Sequence, residues 1–218
     1  MDHLHPSRHR SILASLLLLL PVSVGAATFN EATNGDLSGN RLAPSFLQLD
    51  YTPGGNMPGS NVIAGTVGRS GSVVDRDYLH VNIPVGYVLG RLLVGNQTTV
   101  GGAGASFIGL AAGSTMPVAE TALNAQGLLG FRLYTTADHG NDILDDMSIP
   151  AQGSSGFTVP LGPGDYTFWL QELAPGTYTY RFNLVLEPAA VVPVPAALPL
   201  FLAGLGLLAG AMRRKSGL

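Results

Sequence analysis

Thr177-Tyr178-Thr179-Tyr180-Arg181-Phe182-Asn183-Leu184-Val185-Leu186 alternates with a period of two. Tyr178, Tyr180, Phe182, Leu184 and Leu186 share one face, while Thr179, Arg181 and Asn183 take the other. Successive side chains of a strand point to opposite faces, so this pattern is that of a half-buried antiparallel strand. Just upstream, Tyr166, Phe168 and Leu170 alternate with Thr167, Trp169 and Gln171. Each strand is introduced by Pro-Gly, at Pro163-Gly164 and Pro175-Gly176. Proline presets a turn and glycine supplies positive φ, so the two strands are expected to form a hairpin turning near 174–176.

Seven further runs rich in Val, Thr, Tyr and Phe lie between Gly and Pro punctuation, at 46–51, 61–67, 78–83, 87–94, 106–111, 128–134 and 156–161. Nine short strands without sustained helical periodicity predict an all-β fold, an antiparallel two-sheet sandwich of jelly-roll type. One short helical turn is expected at 143–147, and 115–126 reads as a surface loop. Parallel α/β architectures are excluded.

The chain's two ends have a different character. Arg8, His9 and Arg10 precede an apolar run from Ile12 to Leu20, followed by Pro21 and the small residues Gly25, Ala26 and Ala27. Residues 1–27 therefore read as a secretory signal peptide cleaved after Ala26 or Ala27. The run is short for a membrane span, which needs about 20 apolar residues. At the other end no charge appears from Val194 to Met212, and then Arg213, Arg214 and Lys215 arrive together. Residues 193–218 read as a single transmembrane segment whose basic stub stops translocation and stays in the cytoplasm. The sandwich domain is left to residues 28–192.

Val192-Pro193-Val194-Pro195-Ala196, the apolar helix and the basic stub together resemble the PEP-CTERM class of bacterial sorting signals, in its Val-Pro-Leu-Pro-Ala variant. Val194 stands where that variant has Leu. The resemblance implies that a membrane-embedded exosortase recognises Pro193, Val194, Pro195 and Ala196, cuts nearby, and releases the protein at the cell surface or into an exopolysaccharide matrix. A second resemblance covers 61–95 and 156–187. Asn61-Val62-Ile63-Ala64-Gly65-Thr66-Val67, Asp75-Arg76-Asp77-Tyr78-Leu79-His80-Val81, Pro84-Val85-Gly86 and Pro175-Gly176-Thr177-Tyr178 are similar to the bacterial pre-peptidase C-terminal domain. That resemblance implies a small non-catalytic β-sandwich of secreted proteins.

Thirteen of the fourteen acids lie between 28 and 192, against only six arginines and no lysine. Such a body has no basic footprint for phosphate backbones, so nucleic acid is not an expected partner. The chain has no cysteine, which excludes disulfides and thiolate zinc sites. Gly104-Ala105-Ser106-Phe107-Ile108-Gly109 is one residue out of register for a nucleophile elbow. The body's two histidines, His80 and His139, have no local spacing to a serine that supports a triad. Gly101-Gly102-Ala103-Gly104 lacks the Lys-Ser/Thr and the helix of a phosphate loop, and reads as a turn.

The acids carry the clearest chemistry. Asp138-His139-Gly140-Asn141-Asp142-Ile143-Leu144-Asp145-Asp146 packs four carboxylates and an amide into nine residues. Calcium takes six to eight oxygens, so Asp138, Asn141, Asp142, Asp145 and Asp146 are candidate ligands. The alternative is a solvated loop in which Asp142 or Asp145 caps a helical turn. Asp75 with Asp77 forms a smaller candidate group, and Asn34, Asp36 and Asn40 form another. Trp169 is the single tryptophan, available to stack on a sugar if exposed and a core residue if buried. The reading that results is a non-catalytic structural or binding module, with a calcium-stabilised carbohydrate-binding module and a secreted hydrolase as alternatives.

Overall fold

The computed structural model describes residues 27–50 and 61–190. The expected signal peptide up to 26, the sorting motif Pro193 to Ala196 and the stop residues Arg213, Arg214 and Lys215 lie outside the described residues. Among those described, no helix is long and apolar enough to cross a membrane.

The body is all-β. Its elements are β1 (Ala27–Asn30), α1 (Glu31–Asn34), β2 (Ser45–Leu47), β3 (Asn61–Ser70), β4 (Val73–Ile83), β5 (Tyr87–Val94), β6 (Ser106–Ala112), β7 (Gly130–Tyr134), α2 (Leu144–Ser148), β8 (Gly164–Gln171) and β9 (Gly176–Pro188). A curled, largely antiparallel sheet runs β5-β9-β3-β4-β8-β6-β7, with β1 added parallel to β3 and β2 parallel to β4. β4 serves both halves: Val73–Asp75 pair with β3, and Arg76–Ile83 pair with β8. The main core fills the inside of the curl, where Ile63, Leu79, Val81, Leu92, Ile108, Phe168, Phe182 and Leu184 are buried. In β9, Tyr180, Phe182, Leu184 and Leu186 face this core, the phase that the alternation demands.

The expected hairpin is not formed. β8 pairs with β4 and β6, whereas β9 pairs with β3 and β5, so the link between them crosses from one half of the sheet to the other. Pro-Gly marks where each strand begins rather than a tight reversal. Gly164 and Gly176 hold φ of 149° and 122°, which side-chain-bearing residues avoid. The tyrosine two positions on then folds back: Tyr166 donates to the Gly162 carbonyl at 3.0 Å and Tyr178 to the Pro175 carbonyl at 2.8 Å. The two Pro-Gly starts thus share a glycine of positive φ and a tyrosine that folds back, Tyr166 over four residues and Tyr178 over three.

Residues 156–161 also depart from expectation, forming a loop with a single bridge from Leu161 to Leu89. Gly156 sits at φ 74° and Pro160 has no N–H to give a ladder. The loop's amides go instead to neighbouring turns, with Gly156 on Leu129 and Phe157 on Ser148. Of the strand expected at 46–51, residues 46 and 47 fall in β2 and 48–50 do not continue it, while β1 and the Val73–Asp77 part of β4 are additional.

Residues 115–126 form more than a surface loop. Met116, Val118 and Ala125 are buried on the outer face of the sheet, over Tyr78, Ala111 and Trp169. Met116 N–H donates to Arg41 O, and Arg41 Nη1 returns a bond to Met116 O at 3.0 Å. Tyr78 and Trp169 rings stand 5.8 Å apart beneath this strap, and Trp169 is 5 % exposed. β8 is thus buried on both faces, and Trp169 is a core residue.

Candidate functional site

The acidic loop is occupied with its own scaffold. Asp138 Oδ2 accepts from the Thr135 amide at 2.7 Å and hydroxyl at 2.9 Å, closing a capping box on a single 3₁₀ turn. Its other oxygen faces Arg132 at 3.4 Å, and Asp146 meets the same guanidinium at 3.2 Å. Asp142 Oδ1 accepts from Leu92 N–H at 2.9 Å and Leu144 N–H at 3.0 Å, joining the start of α2 to β5. Asn141 donates to the Ala137 carbonyl, and the main-chain oxygen of Asp145 accepts from Ser148.

The other candidate chemistry is similarly placed. His80 pairs with Asp165 at 3.0 Å, and His139 meets the Thr98 carbonyl at 2.8 Å. Ser106 donates to Glu172 at 2.6 Å. The Gly101–Gly104 segment is a turn closed by Gly104 N–H on Gly101 O, and Gly101 gives its own amide to Glu172.

A different set of acids is gathered. Among the described residues, Glu31, Asp36 and Asp77 are the group of three metal-ligating side chains whose donor atoms all lie within 4.8 Å of one another. Asn30 N-caps α1 by accepting from Ala32 N–H at 3.0 Å, which fixes Glu31 at the first helical position. From there Glu31 reaches across β3. Oε2 accepts from Thr66 N–H at 2.7 Å, and Oε1 accepts from the Tyr180 hydroxyl at 3.1 Å and Leu37 N–H at 3.2 Å. Gly65 makes the crossing possible, because a Cβ there would run into the Glu31 carboxyl and the Tyr180 hydroxyl. Gly35, at φ 89°, turns the chain after α1 and brings Asp36 back to the cluster.

Asp77 is the unusual member. It lies in β4 on the same phase as Leu79, Val81 and Ile83, so its side chain enters the space where the core is. Its exposure is 0 %, and among the described residues neither carboxylate oxygen has a partner of good hydrogen-bond geometry, although the Tyr180 hydroxyl and Glu31 carboxyl lie against it. Burial first, then the charge of Glu31, push its carboxyl up to about 9. Burial, with Asp36 and Glu31, also raises Asp75. Burial and the charges of Asp77 and Glu31 raise Tyr180, so its phenol is a poor source of a nucleophile. Above the cluster opens a depression of about 560 Å³ lined by Asn30, Glu31, Asp36, Gly65, Tyr180 and Arg181.

The sequence alone separates Asp36 from Asp77 and passes over Glu31. Pairing of β1, β4 and β9 with β3, together with the bridge from Ser38 to Tyr78, brings positions 31, 36, 77 and 180 together. One signal is nevertheless local: the period of two through Leu79, Val81 and Ile83 assigns an aspartate to an apolar phase. No known protein family, curated protein or solved structure matches this chain.

Proposed function

We propose that this protein is an exported, non-catalytic surface or matrix module, led out by residues 1–27 and sorted through residues 193–218. The observation that supports this reading best is the geometry of its ends. β1 begins with Ala27 opposite Asn61, the first residue of β3. β9 runs antiparallel to β3, places Asn183 opposite Val62 and continues to Pro188. The two ends therefore leave from one pole of the sheet, so that a leader and a membrane tail would both join the body there. The turn between β3 and β4 and the Pro175-Gly176 corner lie at the opposite pole, available to the exterior. In this reading the curled sheet is a two-layer jelly-roll sandwich, with β4 shared between its layers.

Glycan binding is a second reading, favoured by a depression of about 260 Å³ beside the partly exposed rings of Phe107 and Phe131 and the exposed Leu123. A glycan array read with and without chelator tests it; an array blank in both conditions removes it.

The sorting step is tested by changing both prolines. Proline disfavours helix and keeps the segment before the membrane extended, where a protease can engage it. Pro193→Ala with Pro195→Ala, expressed in a host that carries an exosortase, should remain uncut in the membrane fraction. Release of this variant at wild-type yield would reject the proline motif as the signal.

A further inference from the structure

We propose that Glu31, Asp36 and Asp77 form a binding site for one hard divalent cation of the size of calcium. Two independent observations meet here. The first is the convergence of three carboxylates, from α1, from the turn after it and from β4, with donor atoms within 4.8 Å of one another. Calcium holds its oxygens at about 2.4 Å, so ligands on opposite sides of one ion stand about 4.8 Å apart. The second is Asp77, fully buried and with both oxygens lacking a well-formed hydrogen bond among the described residues. A buried carboxylate without partners is expensive, and coordination to a cation is one of the few arrangements that relieves it.

The donor set selects the ion. All three groups are carboxylates, without imidazole or thiolate, which suits calcium and disfavours zinc. The open depression above lets water complete a shell of six to eight oxygens. Arg181 is the basic residue among those lining it, so the acids outnumber their local compensation. Glu31 spends both lone pairs of Oε1 on Tyr180 and Leu37, and its Oε2 accepts the short bond from Thr66 N–H, which orients the carboxylate and leaves Oε2 as the oxygen to meet an ion. A bound ion would fasten the segment after β1 to β4, in the middle of the sheet.

The test uses the full chain in detergent micelles and stands whether or not the tail is processed. Calcium is titrated by calorimetry, and the melting temperature is followed with calcium, magnesium and chelator. Terbium emission sensitised by Tyr180 reports occupancy directly. Expected are one calcium per chain, a melting temperature that climbs with calcium, and a smaller response to magnesium. Asp77→Asn should abolish the response and the terbium signal. Asp36→Asn alters an exposed side chain, so it keeps the test decisive if the buried variant fails to fold, and it should weaken binding at least about tenfold. Asp142→Asn with Asp145→Asn should bind like the unaltered protein. The proposal is overturned if the unaltered chain shows no saturable calcium binding below about 5 mM, a generous limit for extracellular modules. It is equally overturned if binding survives Asp36→Asn and Asp77→Asn, or is lost only with Asp142 and Asp145.

Discussion

Glu172→Ala should destabilise the domain by about 3 kcal/mol, lowering the melting temperature by about 10 °C. Glu172 sits in the link between β8 and β9 and is 7 % exposed. Its Oε2 accepts from Ser106 Oγ at 2.6 Å and Gly101 N–H at 2.9 Å, and its Oε1 accepts from Ala174 N–H at 2.8 Å. Truncation removes the acceptor and leaves three donors around a void that water fills poorly. Unmade buried hydrogen bonds cost about 1–3 kcal/mol each, and partial rehydration keeps the total near the low end of their sum. Glu172→Gln retains one acceptor oxygen and should cost clearly less. Burial opposes ionisation of this carboxyl, but the bonds from Ser106, Ala174, Gly101 and Leu173 outweigh it and hold its pKa below the usual 4.5. The unfolded chain therefore takes up this proton first as the pH falls. The stabilisation is fully present above the unfolded value and is lost as the pH drops through the depressed folded one. Thermal melts of the parent and Glu172→Gln should converge in that acidic window; a constant gap at every pH would show that the charge is irrelevant.

The second large effect is expected at Gly68. It pairs with Thr177 where β3 passes the Pro175-Gly176 corner. A Cβ on Gly68 would overlap the carbonyl oxygen of Gly176 and stand 3.2 Å from Thr177 Cα. Both obstacles are backbone, so no rotamer change relieves them and the β3–β9 ladder must open. Gly68→Ala should cost about 3 kcal/mol, at the upper end of overpacking effects. Gly102→Ala is the natural control, since nothing lies within 4 Å of its Cβ, and it should stay within about 0.5 kcal/mol of the parent. Chemical denaturation of both variants checks the pair; similar midpoints would refute the close approach.

These two positions mark where the sequence is and is not legible. The alternation through 166–171 and 177–186 identifies both strands and the face of β9 that meets the core. Partner choice is a longer-range matter. Pro-Gly before a strand has the composition of a hairpin turn, yet the link carries Glu172, whose partners Gly101 and Ser106 are some seventy positions away. Trp169 shows the same limit, because the strap that buries it comes from 115–126, a segment without strand or helix periodicity. The acidic loop at 138–146 stands out by local density, and three of its four carboxylates serve the capping box, the start of α2 and Arg132. The nest of Glu31, Asp36 and Asp77 has no local density at all. Its one trace in the sequence is Asp77 on an apolar phase, an apparent error in patterning that the fold converts into a site.

Under the function proposed above, a folded all-β module is exported and then freed from its membrane tail. Intact-mass measurement of protein recovered from the surface of an exosortase-bearing host tests it most directly. The expected product is a chain that begins at Ala27 or Thr28 and ends near Ala196, without the apolar segment or the basic stub. Surface protein that still carries Arg213 to Leu218 would contradict it and leave the tail a simple anchor.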